Sequence, residues 1–153
     1  MSDEGGSVTL GWVAEDVFYT RFTGGLSASI GMAYAARLRE LLAAVSSLRY
    51  FVDAGTLSHY ELLARSALTR LILENRRKFS ALVMLTWSVR VGLPGEAFAA
   101  AVGNPISLLT DASEFEQRLL AAAPLAKQRL DSRMWASNPA FDVVSTSATS
   151  AYK

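Results

Sequence analysis

Cysteine is absent from the 153 residues, histidine occurs once, and 15 Lys and Arg nearly cancel 14 Asp and Glu. Without cysteine there is no disulfide, no thiolate metal site and no cysteine nucleophile. The single imidazole, His59, excludes any site that needs two. A formal net charge of +1 supplies no field that would gather a polyanion, so nucleic acid is not an expected partner. No window offers the ~20 uninterrupted apolar residues of a membrane span. The opening Met1 to Ser7 carries Asp3 and Glu4 where a signal peptide would carry basic and then apolar residues. A soluble intracellular chain with no integral membrane segment is therefore expected.

What is present is a core. Hydrophobic residues make up 51% of the chain and charged residues 19%, far from the composition of a disordered chain, and the length suits one domain. Ser7 to Ala14 and Asp16 to Thr23 are rich in β-branched and aromatic residues around the acidic pair Glu15-Asp16, which predicts a hairpin with Phe18 and Phe22 on one face. Gly24-Gly25 is expected to break the second strand. From Ser27 the period changes: Ile30, Tyr34, Leu38, Leu41, Leu42 and Val45 recur at helical spacing behind a Ser27 or Ser29 cap, and Ser46-Ser47 ends the helix. Leu48 to Asp53 reads as a short strand and Ala54-Gly55-Thr56 as the loop after it. Ser58 with Glu61 resembles a capping box opening a second helix, its buried stripe formed by Leu62, Leu63, Leu68, Leu71 and Ile72.

Ser80 to Thr86 is a continuous apolar run that suits a central strand buried on both faces. A third helix is expected around Ala97, Phe98, Ala101 and Val102, a last strand over Ile106 to Thr110, and a fourth helix capped by Asp111 and carrying Phe115, Leu119 and Leu120. Strands alternating with helices imply an α/β fold, a single small domain with a mostly parallel mixed sheet and about four helices. Residues 8–123 form this domain. Residues 124–153 form a C-terminal extension, partly disordered, in which Met134, Trp135, Phe141, Val143 and Val144 are apolar enough to dock. They would cover an edge or groove of the same chain, or sit on a neighbour. From residue 126 on, four basic residues oppose two acidic ones, so the extension is weakly basic and the preceding part weakly acidic.

Catalytic sets fail one by one. The glycines between Gly24 and Gly31 lack both the GxGxxG spacing and a phosphate-loop lysine. No G-x-S-x-G elbow exists, and Ser58 and His59, adjacent at a helix start, should point in different directions. Asp53 ends a strand as a phospho-acceptor would, but Glu15-Asp16 lies in the hairpin and Thr86-Trp87-Ser88 brings no lysine. Arg76-Arg77-Lys78 reads as a solvated cluster at a helix end. Trp87, after the central strand, is a candidate anchor for a partner. No cofactor or metal is implied, and no enzymatic activity.

Taken in order, Val17 to Gly24, the helix from Ser27, Leu48 to Asp53, Leu82 to Leu85 and Ile106 to Glu116 resemble the elements of the STAS domain. The likeness is to its anti-anti-sigma-factor-like fold, in the divergent sporulation-factor-like branch, and covers roughly residues 8 to 123. It implies a non-enzymatic, cytoplasmic, protein-interaction module in a bacterial-type regulatory or scaffold assembly. Its partner would be an anti-sigma or kinase-like regulator. Such domains are switched by phosphorylation of a serine in an Asp-Ser-Ser-Gly-like turn. Here Ala54-Gly-Thr-Leu-Ser-His-Tyr60 stands in that place without the acid or the glycine. Ser58 would be either a phosphorylated residue at a helix N-terminus or an unmodified cap. The expected partner surface is Thr56, Ser58, His59, Tyr60 and Trp87. Two alternatives are a small apolar-ligand or lipid-binding module, with a cavity lined by residues such as Phe51, Met84 and Phe98, and a self-assembling homo-oligomeric subunit that uses the C-terminal segment.

Overall fold

The computed structural model describes residues 5–86, 106–130 and 141–145. Strand β1 (Ser7–Ala14) and strand β2 (Val17–Leu26) form the expected antiparallel hairpin. Asp16 pins its turn to the next strand: the Arg49 guanidinium donates twice to the Asp16 carboxylate, at 2.8 and 2.9 Å, and holds that acid below its ordinary pKa. Parity then sorts the side chains. Phe18 and Phe22 enter one core, while Val17 and Tyr19 enter another on the opposite face.

Gly24-Gly25 does not break β2, which runs on to Leu26. Gly24 takes φ +68, a conformation costly for other residues, and thereby lets the pairing continue. Helix α1 (Ala28–Ala44) follows the Ser27 cap, whose hydroxyl accepts from Ile30 N, and buries Ile30, Tyr34, Leu38 and Leu42 as the spacing predicts.

Strand β3 (Leu48–Tyr60) is more than twice the length expected, because Ala54-Gly55-Thr56 is not a loop. Those residues form a bulge: Arg21 pairs with Asp53 and Thr23 with Thr56, so two residues of β3 oppose one of β2. A second bulge places Gly24 opposite Leu57 and Gly25 opposite His59. Helix α2 (Leu62–Glu74) consequently starts later than expected, and Ser58 lies in a strand instead of at a helix cap. The later start also rotates the helix. Leu62 and Leu63 are 72% and 65% exposed, and Ala64, Leu71 and Ile72 form the buried stripe with Leu68 half-buried. Arg76, Arg77 and Lys78 make a short 3₁₀ turn, from which Lys78 Nζ donates to Leu42 O near the end of α1.

Strand β4 (Phe79–Thr86) sends Leu82 to one core and Val83 and Leu85 to the other, as a strand covered on both faces must. The expected third helix, and Trp87 with it, lies outside the described residues. Strand β5 (Ile106–Leu109) leads into helix α3 (Ala112–Ala122), where Asp111 accepts from Ser113 N and Glu114 N. Helix α4 (Ala126–Leu130) and strand β6 (Phe141–Ser145) follow. The sheet order is β5-β4-β3-β2-β1-β6, parallel from β2 to β5 and antiparallel at β1 with both neighbours. The sheet is therefore mixed and extends past residue 123. Strand β6 covers the edge of β1 within the same chain, and Ala126 is buried. Helices α1 and α2 pack on one face with Phe18, Phe22, Tyr50 and Leu82, and α3 packs on the other with Phe51, Phe115 and Leu119.

Helices α1 and α2 approach each other closely at one point. A Cβ on Gly31 would lie 2.8 Å from Ala64 Cα and closer still to Ala64 Cβ. Gly31, which reads in sequence as part of a glycine-rich turn, is a helix-packing residue.

Candidate functional site

An apolar cleft of about 120 Å³ lies between the sheet and the pair α1 and α2. Its walls come from four elements besides the closing helix. Strand β2 gives Phe22 and Leu26, α1 gives Tyr34 and Leu38, and β4 gives Met84. Strand β3 gives Tyr50, Val52, Ala54, Leu57 and Tyr60. The two bulges explain this last set: strict alternation stops at Ala54, and the next cleft-facing residues come at intervals of three. Helix α2 closes the cleft with Arg65, Leu68, Thr69 and Ile72.

Among the described residues, the polar side chains of the lining are Tyr34, Tyr50, Tyr60, Arg65 and Thr69. On the floor the hydroxyls of Thr20, Tyr34 and Tyr50 satisfy one another. Thr20 Oγ1 lies 3.0 Å from each phenol oxygen, and the two phenols are themselves hydrogen-bonded. Burial pushes the Tyr50 phenol above its ordinary pKa. At the mouth, the half-buried Arg65 guanidinium stands over the Tyr60 ring, 5.7 Å from its centroid. Thr86, at the end of β4 on the parity of Leu82 and Met84, is 3% exposed, and its hydroxyl has no partner among the described residues.

Of the residues expected to form a partner surface, the structure describes four. Thr56 Oγ1 donates to Phe22 O at 3.0 Å, so it fastens β3 to β2. Ser58 and His59 do not diverge as a helix start would require. In the strand, Ser58 Oγ lies 3.1 Å from His59 Nδ1, and the ring covers Gly25, where a Cβ would sit 3.2 Å from that same nitrogen. No carboxylate orients the ring among the described residues, so the pair lacks the third member of a nucleophilic set. Tyr60 turns inward to the cleft mouth, away from His59. Phe51 also departs from expectation: parity with Tyr50 and Val52 sends it to the opposite face, where it meets Phe115 edge-on at 5.8 Å. Met84 lines the cleft as expected, and Phe98, Met134 and Trp135 lie outside the described residues.

Across the sheet, Asp53 is fully engaged. Tyr19 Oη and Arg21 Nε donate to its Oδ2 at 2.9 and 3.0 Å, and Gly55 N donates to its Oδ1 at 3.0 Å. Burial, helped by the Asp53 charge, raises the Tyr19 pKa. These bonds hold the first bulge in place, which is a structural role. Glu61, expected to box with Ser58, instead accepts from Ala28 N at the start of α1, 3.0 Å away. Among the described residues, no group of three or more acidic or imidazole side chains is placed to hold a metal, and no helix is long and apolar enough to cross a membrane.

Comparison with solved structures rests on this architecture. A protein of the DUF3478 family from Shewanella loihica PV-4, described as uncharacterized and as having a SpoIIAA-like fold, superposes with a TM-score of 0.61 at 17% identity. The match covers 78% of this chain and 98% of that one. The anti-sigma factor antagonist SpoIIAA in its unphosphorylated form gives a TM-score of 0.52 at 14% identity over 73% of this chain and 96% of that one. This chain has a SpoIIAA-like fold. The STAS-like α/β architecture expected from the element order is thus the one observed. No family model and no curated protein matches the sequence itself. The doubly bulged β3 carries Leu57 and Tyr60 to the cleft.

Proposed function

We propose that this SpoIIAA-like chain is a non-enzymatic binding module of a bacterial-type, cytoplasmic regulatory or scaffold assembly, and that it takes a small apolar ligand in the cleft beneath α1 and α2. The observation that carries the reading is the cleft itself, walled by aliphatic and aromatic side chains and set against a floor whose hydroxyls are already paired. Burying apolar ligand surface there contributes roughly 25 cal/mol per Å², and the paired floor imposes no unmet hydrogen bond. Titration of methyl-labelled protein with benzene or hexan-1-ol tests it. Shifts are expected at Val52, Leu57, Leu68, Ile72 and Met84, with none at Val83, Leu85 or Leu109 across the sheet. Absence of shifts at the cleft methyls, or equal shifts on both faces, refutes it.

A second reading, a protein partner of anti-sigma or kinase-like type, is favoured by Met32, Leu62 and Leu63. They are 60%, 72% and 65% exposed, and Met32 and Leu63 directly follow and precede the contacting pair Gly31 and Ala64. On this reading the partner surface lies near the starts of α1 and α2, close in the chain to Tyr60, His59 and Ser58. A phosphate on Ser58 would meet strand backbone instead of helix amides, so the switch loses its electrostatic support there. Recovery of a cellular partner should fall in a Leu62→Ser, Leu63→Ser variant that retains its fold, and unchanged recovery refutes the placement.

A further inference from the structure

Among the described residues the cleft lining has one charged member, the half-buried Arg65. Five other arginines, Arg21, Arg37, Arg49, Arg70 and Arg118, each face a carboxylate. Arg65 faces none among the described residues and stands over the Tyr60 ring. That ring holds the half-buried guanidinium against the apolar wall, where it is positioned to donate charge-assisted hydrogen bonds to an anion. Deeper in, the three hydroxyls of Thr20, Tyr34 and Tyr50 are mutually paired, so this floor presents no comparable demand for a polar atom; the unpartnered Thr86 hydroxyl, beside Ala54 at the end of β4, is not part of the lining. Among the described residues the charge of the lining thus sits in one place, and a matching ligand carries its charge at one end.

We propose that the ligand is a small monocarboxylic acid, its carboxylate held by Arg65 and its hydrocarbon tail laid along Tyr34, Val52, Leu68 and Met84. This rests on the reading of the cleft as an apolar-ligand site. Size sets the tail length. A volume near 120 Å³ is slightly below the ~150 Å³ of an apolar cavity that holds benzene, which leaves room for about six carbons. A single guanidinium, with no second cation in the lining among the described residues, suits one carboxylate, which it can bind through two parallel N–H donors.

The test uses the full chain and three probes, hexanoate, hexan-1-ol and acetate, titrated against the methyl signals of Val52, Leu68 and Met84 in the wild type and in Arg65→Gln. Hexanoate is expected to bind the wild type about tenfold more tightly than hexan-1-ol, and acetate not measurably. In Arg65→Gln, hexanoate should fall to the level of hexan-1-ol while hexan-1-ol is unchanged. Equal affinity of hexanoate and hexan-1-ol for the wild type overturns the carboxylate assignment and leaves the apolar cleft standing, as does undiminished hexanoate binding by Arg65→Gln. Failure of both probes to move the cleft methyls overturns both readings. Should Arg65→Gln not fold, the hexanoate to hexan-1-ol ratio in the wild type decides alone.

Discussion

Replacing Gly31 by alanine adds one methyl group where α1 and α2 approach closely, and two opposing effects meet there. In a helix interior, alanine is favoured over glycine by roughly 1 kcal/mol. Against this, the new Cβ would lie 2.8 Å from Ala64 Cα and closer to Ala64 Cβ, whereas ordinary carbon contacts begin near ~3.5 Å. Neither neighbouring atom belongs to a flexible side chain, so relief requires the helices to separate by about 1 Å. Overpacking of this kind costs typically 1 to about 3 kcal/mol, and with rigid atoms on both sides the upper part of that range applies. The net is a loss of about 2 kcal/mol, or about 4–8 °C in Tm for a domain of this size. Urea unfolding followed by tryptophan fluorescence measures it. Moving the methyl back, in Gly31→Ala with Ala64→Gly, should recover part of the loss, because the closest clash is then gone. A Gly31→Ala protein as stable as the wild type, or more so, refutes the packing argument, since helix propensity would then have outweighed the contact.

Two further outcomes follow from the cores. Thr86→Val exchanges a buried hydroxyl, unpartnered among the described residues, for a methyl group of similar shape. It should raise stability by about 1 kcal/mol, and a loss of that size in the same urea assay contradicts the absence of a partner. Tyr19 and Tyr50 both have pKa values raised first by burial. Their neutral forms are favoured by folding, so the contribution is intact below about pH 10, where the unfolded phenol ionises, and is lost as pH rises further. Phenolate absorbance should therefore show a late phase that coincides with loss of circular dichroism and shrinks in Tyr19→Phe. Smooth ionisation of all five tyrosines in the folded protein contradicts it.

Local chemistry made much of the fold legible. The hairpin is written in β-branched and aromatic alternation around Glu15-Asp16, α1 in a three-and-four spacing behind Ser27, and α3 in Asp111 followed by Phe115 and Leu119. Glycine misled in three places because its effect depends on what approaches it. At Gly24-Gly25 and Gly55 the chain reads as turns, yet pairing with a parallel neighbour keeps both segments extended, and the bonds from Tyr19, Arg21 and Gly55 to Asp53 stabilise the first bulge. The β-forming residues Thr56, Leu57 and Tyr60 beyond Gly55 were the available signal that the strand continued. The shift of α2 by a few residues then exchanged Leu62 and Leu63 for Ala64 in the core.

The sequence alone determined that this is a near-neutral, cysteine-free α/β domain, because composition and hydrophobic periodicity act within a few residues and are indifferent to what packs against them. Only the tertiary structure decided that a cleft exists. Its walls come from β2, β3, β4, α1 and α2, and its inward residues on β3 follow bulges that no period reveals. The one cation of its described lining, Arg65, gains meaning only beside Tyr60 and next to an apolar wall that β2, β4 and α1, distant in the chain, bring to it.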